Sequence, residues 1–338
     1  MTKSILVTGG AGFIGVNFVK MMLKEHPGII IVNLDLLTYA GNLSSLDSCV
    51  NNPDYFFVHG DICDKKTVSD IISKHKIEGI INFAAESHVD RSISGPEIFV
   101  DTNVKGTLNL LQCAREGEVK RFLQVSTDEV YGSLGKEGMF TEETTIKPNS
   151  PYSASKAAAD HMVHAFHHTY GFDTVITRCS NNYGPCQFPE KMVPLCINNA
   201  LRDNPIPVYG DGLQIRDWLY VYDHCAAIWK VFSEGKTGEV YNIGGCNEKT
   251  NMELIKTLLG ILGKPESLIT FVKDRPGHDR RYAIDSSKMM KDFDWKPTET
   301  FESGMAKTVK WYLENTDWLE NVTSGDYRKY YEKMYSGR

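Results

Sequence analysis

The sequence predicts an α/β fold, a doubly wound parallel sheet with a smaller α+β domain interleaved into it. Three observations carry that expectation. Short apolar runs alternate with amphipathic helical patterns through the first half, a glycine-rich turn joins the first run to the first helix, and the rhythm changes after about residue 180. The runs are Ile5-Leu6-Val7, Ile29 to Leu34, Tyr55 to Val58, Ile80 to Phe83, Phe122 to Val125 and Thr174 to Ile176, with helical patterns at 13–25, 65–76, 97–116 and 152–170. Right-handed crossovers then place helices on both faces.

Past residue 180, Pro185, Pro189, Pro194, Pro205 and Pro207 interrupt segments that alternate poorly, as in an irregular second domain. A later run, Val240 to Ile243, ending in Gly244-Gly245, is placed to rejoin the first sheet. The expected division is 1–180, rejoined by about 216–247, for a nucleotide-binding domain, and 181–215 with 248–338 for the second. The polar and aromatic tail, 316–338, takes no assignment, and no internal repeat is present.

At 338 residues and 41% hydrophobic, the chain can bury a large core. A net charge of −6 with scattered basic residues leaves no electrostatic footprint for nucleic acid. No apolar run approaches the roughly 20 residues that span a bilayer, and Met1 leads directly into a core strand, so a cytoplasmic location is expected. The eight cysteines show no C-x-x-C spacing, and no metal site is expected.

The first strand runs into Thr8-Gly9-Gly10-Ala11-Gly12-Phe13-Ile14-Gly15, and the helix starts at once. Gly9 permits the tight turn, Gly12 lets the backbone approach a pyrophosphate, and Gly15 allows close packing of helix on strand. Phe13 and Ile14 head a helix whose unpaired N–H groups and dipole favour an anion. Twenty residues past Gly15, Asp35 ends the second strand, where a carboxylate accepts from an adenosine ribose and repels a 2′-phosphate, favouring NAD over NADP. Asp61, followed by Ile62, closes the third strand and is placed to meet the adenine amino group.

Tyr152 and Lys156 form Y-x-x-x-K behind Pro151 and share a helix face near its start. Alone, such a pair is an ordinary surface contact. Behind a glycine-loop domain it gains a purpose: the ammonium lowers a phenol pKa of about 10, so that Tyr152 takes the proton of a sugar hydroxyl while hydride leaves for NAD.

With the glycine loop, Asp35, Asp61 and the Tyr152/Lys156 pair in this order, the sequence resembles the extended short-chain dehydrogenase/reductase family over nearly its whole length. The resemblance implies a Rossmann-type NAD domain, a small substrate domain and a homodimer.

The fifth strand ends in Ser126-Thr127-Asp128-Glu129, beyond the carboxyl edge of the sheet, where ligands bind in such folds. Loss of water from a hexose needs more than a redox pair. The C5 proton becomes removable only once C4 is a ketone, so oxidation comes first; a base then takes that proton, an acid protonates the leaving C6 hydroxyl, and hydride returns to C6. A 4-epimerase needs neither the extra acid nor the extra base; Asp128 and Glu129 supply both. Adjacent carboxylates in a dry site titrate together, and physics alone allows either assignment of roles.

The Thr127-Asp128-Glu129 triplet resembles the 4,6-dehydratases of that family that act on dTDP-glucose. The resemblance implies Asp128 as acid, Glu129 as base and Thr127 as a hydroxyl contact near C4. Further matching segments are Leu37 to Asn42 (with Thr38), Phe83 to Ser92, Arg178 to Pro185, Phe188 to Lys191 and Asp274 to Asp279. They imply that Ser87, Asn181, Glu190 and Lys191 contact the substrate, and that Thr38, Ala84, Thr102 and Asn182 lie near NAD. His88 reads as a packed histidine. Leu36 stands where the family commonly has lysine, and Cys186 where it has tyrosine.

The diphosphate needs cations, for which Arg216 and Arg275 are the candidates, since guanidinium binds phosphate oxygens bidentately. Pro207 and Tyr209 are placed to pack on the base, with Asn251 and His278 nearby. Thymine differs from uracil by one methyl group, worth only about 1–3 kcal/mol, so UDP- or CDP-sugars stay open as substrates. A UDP-sugar 4-epimerase and a non-catalytic nucleotide sensor are the other readings; the acid–base dipeptide argues against the first and the intact Tyr-Lys-Asp-Glu set against the second.

Overall fold

The computed structural model describes residues 2–274 and 277–324. Strand β1 (Ser4–Thr8) is buried along its length, and its residues divide between two cores, Ile5 and Val7 in one and Leu6 in the other. The division continues in β2 (Ile30–Asp35), with Ile31 against Val32, while β3 (Tyr55–His59) lies at the sheet edge. In β4 (Gly79–Asn82), β5 (Arg121–Thr127) and β6 (Thr174–Cys179), Ile81, Leu123 and Val175 face one core and Ile80, Phe122 and Ile176 the other. Period-two side chains with both faces apolar demand cover on both sides.

The helices supply it. Phe13–Glu25 and Val221–Glu234 bring Phe18, Met22, Ile228 and Val231 to the first core. Lys65–His75, Thr107–Glu116 and Pro151–Tyr170 bring Ile71, Leu110 and Val163 to the second. Truncating Leu6, which has no exposed surface, to alanine would cost about 2–5 kcal/mol.

After β6 the chain leaves this sheet. β7 (Asn181–Tyr183), β8 (Ile206–Tyr209) and β9 (Ile215–Tyr220) precede β10 (Val240–Ile243), which returns and pairs in parallel with β6. The seven-stranded order is β10-β6-β5-β4-β1-β2-β3, with every pairing parallel. β11 (Glu248–Thr250) joins β9 and β7 in a three-stranded sheet, and β12 (Ile269–Val272) pairs with β8. Helices Met192–Leu201, Asn251–Leu262 and Phe301–Glu314 cover these around Tyr183, Trp218, Leu254 and Phe301.

Three local features depart from the sequence pattern. The stretch expected as one helix over 97–116 contains a π-helical turn, Val100–Gly106, which carries Asn103 inward to a buried position. β9 sits with β7 and β11 rather than in the large sheet, so the return toward that sheet starts at Val221. Met289, Phe293 and Trp295 join the first core, beneath the seven-stranded sheet. From the unassigned tail, Thr316–Val322 forms a helix whose Trp318 indole donates to Ser45 Oγ.

Candidate active site

The carboxyl ends of β1, β2, β4, β5 and β6 open into one cleft of about 300 Å³. Its floor begins at the glycine loop. Gly9 has φ +69, and a Cβ there would lie 2.6 Å from the Ala84 amide nitrogen. A Cβ on Gly15 would fall 2.3 Å from the Gly9 carbonyl, whereas one on Gly12 would meet nothing but that carbonyl, at 3.3 Å. Gly9 and Gly15 are therefore packing glycines, and Gly12 leaves an open approach. No side chain caps the helix that starts at Phe13, so its first-turn amides face the cleft without an acceptor of that kind. This cradle, with a carboxylate at the end of β2, fits a dinucleotide.

Asp35 does a second job. Its Oδ2 accepts from the Ala11 amide at 2.9 Å and its Oδ1 from the Leu37 amide at 2.8 Å, tying the glycine loop to the segment after β2. Burial nevertheless pushes the carboxyl up, against the pull of those amides. Thr38, Asp61, Ile62, Ala84, Thr102 and Asn182 all line the same cleft. Asp61 Oδ1 also accepts from the Cys63 amide at 2.8 Å, an ordinary turn contact.

At the other end stand Tyr152 and Lys156, both buried on the first turns of the Pro151–Tyr170 helix, which Ser150 and Ser153 cap reciprocally. The lowered phenol pKa expected from the sequence is not produced by these side chains. Burial, followed by the Glu129 charge, pushes Tyr152 well above its ordinary value, with Thr127 opposing. Lys156 is itself pushed down by burial and donates from Nζ to the Val125 carbonyl at 2.7 Å.

Beside them, Thr127 starts a short 3₁₀ turn over Asp128–Tyr131, its Oγ1 accepting from the Glu129 amide at 3.2 Å. Thr127 and Glu129 line the cleft, with Glu129 half-buried. Asp128 is only 2% exposed and its Oδ2 has no hydrogen-bond partner. Burial pushes its carboxyl well above the usual range, the charges of Glu129 and Asp217 add to this, and Arg216 opposes. The two carboxylates thus sit in unlike environments, one buried with its carboxyl pushed up and one lining the cleft.

Ser87, Asn181, Glu190 and Lys191 line the cleft as well. Glu190 is already engaged: Tyr39 donates to Oε1 at 3.0 Å and Arg91 to Oε2 at 3.2 Å. Lys191 donates to the Ser87 carbonyl at 2.7 Å. Pro207, Tyr209, Arg216, Asn251 and His278 are not among the lining residues. They gather next door: the Tyr209 and His278 rings are 6.2 Å apart, His278 pairs with Asp274 at 2.6 Å, and Gln214 links Asp274 to Asn251. Arg216 donates to the Asp279 and Ile215 carbonyls and stacks over the Tyr282 ring at 4.3 Å. Arg275 lies outside the described residues.

Sequence reasoning missed Asn103, Cys179 and Gln187. Asn103 holds both backbone groups of Glu86 and donates to Ser155 Oγ, whose hydroxyl bonds the Tyr152 carbonyl, bracing the cleft wall against the catalytic helix. Cys179 and Gln187 line the cleft from within or beside segments already singled out.

A family model described as GDP-mannose 4,6 dehydratase matches residues 6–308. A dTDP-glucose 4,6-dehydratase of Xanthomonas campestris pv. campestris is 55% identical over 341 aligned positions, covering 96% of this chain and 97% of its own. Among solved structures, the dTDP-glucose 4,6-dehydratase of Bacillus anthracis, in complex with NAD, superposes with a TM-score of 0.89 at 51% identity, covering 94% of this chain and 99% of its own. The dTDP-glucose 4,6-dehydratase of Streptomyces venezuelae, also with NAD bound, gives 0.92 at 47% identity over the same shares. On this likeness across nearly its whole length, the chain belongs to the nucleotide-sugar 4,6-dehydratases of the extended short-chain dehydrogenase/reductase family.

Proposed function

We propose that the protein converts dTDP-glucose to dTDP-4-keto-6-deoxyglucose and water, with NAD as cofactor and no net redox change. The observation that carries this reading is the convergence of a phenol, an ammonium and the Glu129 carboxylate at the far end of a cleft that begins in a glycine loop, with the buried Asp128 carboxyl adjoining Glu129 but not itself lining the cleft. NAD, which the glycine loop and Asp35 would hold, would supply the hydride acceptor for C4 and donor for C6 and a positive ring charge that favours a phenolate.

The side chains do the rest. Tyr152 takes the C4 hydroxyl proton, Lys156 stabilises the phenolate, and Thr127 holds the C4 oxygen. With C4 a ketone, Glu129 removes the C5 proton. Asp128, whose carboxyl burial pushes up, gives its proton to the C6 oxygen, so the C6–O bond breaks and water leaves. Glu129 returns a proton to C5 as C6 is reduced. A proton passed from Tyr152 to Asp128 resets the site.

Ser87, Asn181 and Lys191 serve as sugar and phosphate contacts, while Glu190 acts through Tyr39 and Arg91. Arg216, Tyr209, Pro207, Asn251 and His278, with Arg275, serve the nucleoside diphosphate. The NAD domain is residues 1–180 with about 221–247, and the substrate domain takes the segments between and after. A homodimer belongs to the same reading, supported by exposed Ile93, Ile98 and Val100. So does a cytoplasmic location; no helix among the described residues is long and apolar enough to cross a membrane.

The test is incubation with dTDP-glucose in deuterated water, with UDP- and CDP-glucose as parallel arms. The expected product is a 4-keto-6-deoxy sugar with deuterium at C5. A product that differs from substrate only in its C4 configuration overturns the dehydratase reading. Glu129→Gln should abolish C5 exchange, whereas Asp128→Asn should keep C4 oxidation and slow water loss. C5 exchange that persists in Glu129→Gln reverses the two roles.

A further inference from the structure

The imidazole of His224 has no part in the chemistry above. It lies in the first turn of the Val221–Glu234 helix, next to Cys225, whose Sγ is 3.7 Å from the Ile14 carbonyl of the cofactor helix. The residue has no exposed surface, and burial pushes the ring down to about 3, so it is neutral at working pH. Its Nδ1 lies 2.8 Å from Asn182 Oδ1.

A third group fixes which way this contact runs. Asn182 Nδ2 is 3.0 Å from the Ser180 carbonyl oxygen, an atom that only accepts, so the amide nitrogen must face it and the amide oxygen must face His224. An amide oxygen also only accepts. His224 Nδ1 therefore carries the ring proton, and Nε2 is left bare. That bare nitrogen is buried without a hydrogen-bond partner. An unpaired acceptor in the interior is a cost that a phenylalanine would avoid, so the ring is being retained for its other nitrogen.

Asn182 lines the cofactor cleft. With Oδ1 held by His224 and one Nδ2 hydrogen held by Ser180, the second Nδ2 hydrogen stays at the cleft wall, where it also meets the Cys179 thiol, and the amide cannot flip without setting two acceptors or two donors face to face. We propose that His224 is a positioning residue for the cofactor, its Nδ1–H tautomer locking the Asn182 amide so that a donor is always presented to the bound dinucleotide. This rests on the reading of the cleft as an NAD site.

The test is a double-mutant cycle read in cofactor affinity rather than turnover. The full-length protein is titrated with NADH and followed by nicotinamide fluorescence, for wild type, His224→Phe, Asn182→Ala and the double variant, with thermal midpoints as the check on folding. Each single variant should weaken NADH about 10-fold, and the double variant no further than the weaker single one. His224→Gln, which keeps an N–H donor, should stay within about twofold of wild type and gives a second edge to the cycle if the phenylalanine variant does not fold. Effects that multiply to about 100-fold in the double variant, or a glutamine variant as weak as phenylalanine, overturn the lock. Unchanged affinity in His224→Phe does so as well. A wild-type chain that binds no NADH overturns the cofactor reading itself, and this proposal falls with it.

Discussion

The two ends of the cleft are built from different materials. At the glycine loop the working groups are backbone: the approach left open at Gly12, the first-turn amides of the Phe13–Glu25 helix, and a carboxylate whose two oxygens hold the Ala11 and Leu37 amides. At the far end they are side chains withdrawn from water, with Tyr152, Lys156 and Asp128 each 8% exposed or less. A backbone site is defined by where no atom is allowed. A buried ionisable site is defined by which proton is where. The first should fail through added volume, the second through loss of a single functional atom.

The largest effect should come from the reaction end. Tyr152→Phe keeps the ring, its packing against Phe99 and the fold, yet removes the group that takes the C4 proton. General-base losses run from about 10² to 10⁴-fold, and kcat should fall by about 10³-fold with NAD affinity unchanged. Burst measurement of NADH absorbance checks it; NADH formation at the wild-type rate would remove the phenol from the first step. At the backbone end, Gly15→Ala and Gly12→Ala should part company. The first puts a Cβ 2.3 Å from the Gly9 carbonyl and 2.7 Å from Gly10 Cα, so backbone must move. A cost of about 1–3 kcal/mol in stability should follow, together with weaker cofactor binding. Gly12 has φ −80 and ψ 173, which alanine adopts freely, so Gly12→Ala should leave stability within about 0.5 kcal/mol and weaken NAD alone. Equal stabilities for the two variants would mean that the loop is not held as tightly as its geometry demands.

This difference also decides what could be read from the chain. The glycine loop is local: strand, turn and helix lie within residues 4–25, and their spacing alone predicts the cradle. The alternating elements of the large sheet were legible for the same reason, because period two and period 3.6 are properties of short windows. The reaction end was legible only as residue types. That the Asp128 carboxyl is pushed up depends on burial, on Glu129 beside it and on Asp217, a carboxylate delivered from β9 and held by the Gly245 and Asn247 amides. No local spacing announces that convergence. Asn103 was hidden by a π turn that breaks the 3.6 period, and β9 by being too mixed in composition to declare its sheet. Tyr152 marks the limit on the other side: spacing gives the ammonium beside it and not the desolvation around it, which pushes the phenol up.

The smallest expected effect tests that last point, and it concerns stability rather than rate. Asp128 has a raised carboxyl pKa in the folded state, with burial as the main cause. An aspartate in the unfolded chain ionises near pH 3.9. Between that value and the folded one, the folded state binds more protons than the unfolded state, so stability falls as pH rises through this window. Below pH 3.9 the penalty is absent, because the acid is neutral in both states. Asp128→Asn is neutral everywhere and escapes it. The ligand-free Asn variant should therefore be more stable than wild type at pH 7, as expected where a site trades stability for chemistry. The gap in thermal midpoint between the two should widen as pH rises from the unfolded value toward the raised folded-state one. A gap that stays constant as pH rises above the unfolded value would mean that the folded state does not raise the Asp128 carboxyl, and the two ends of the cleft would then differ in geometry but not in how they hold protons.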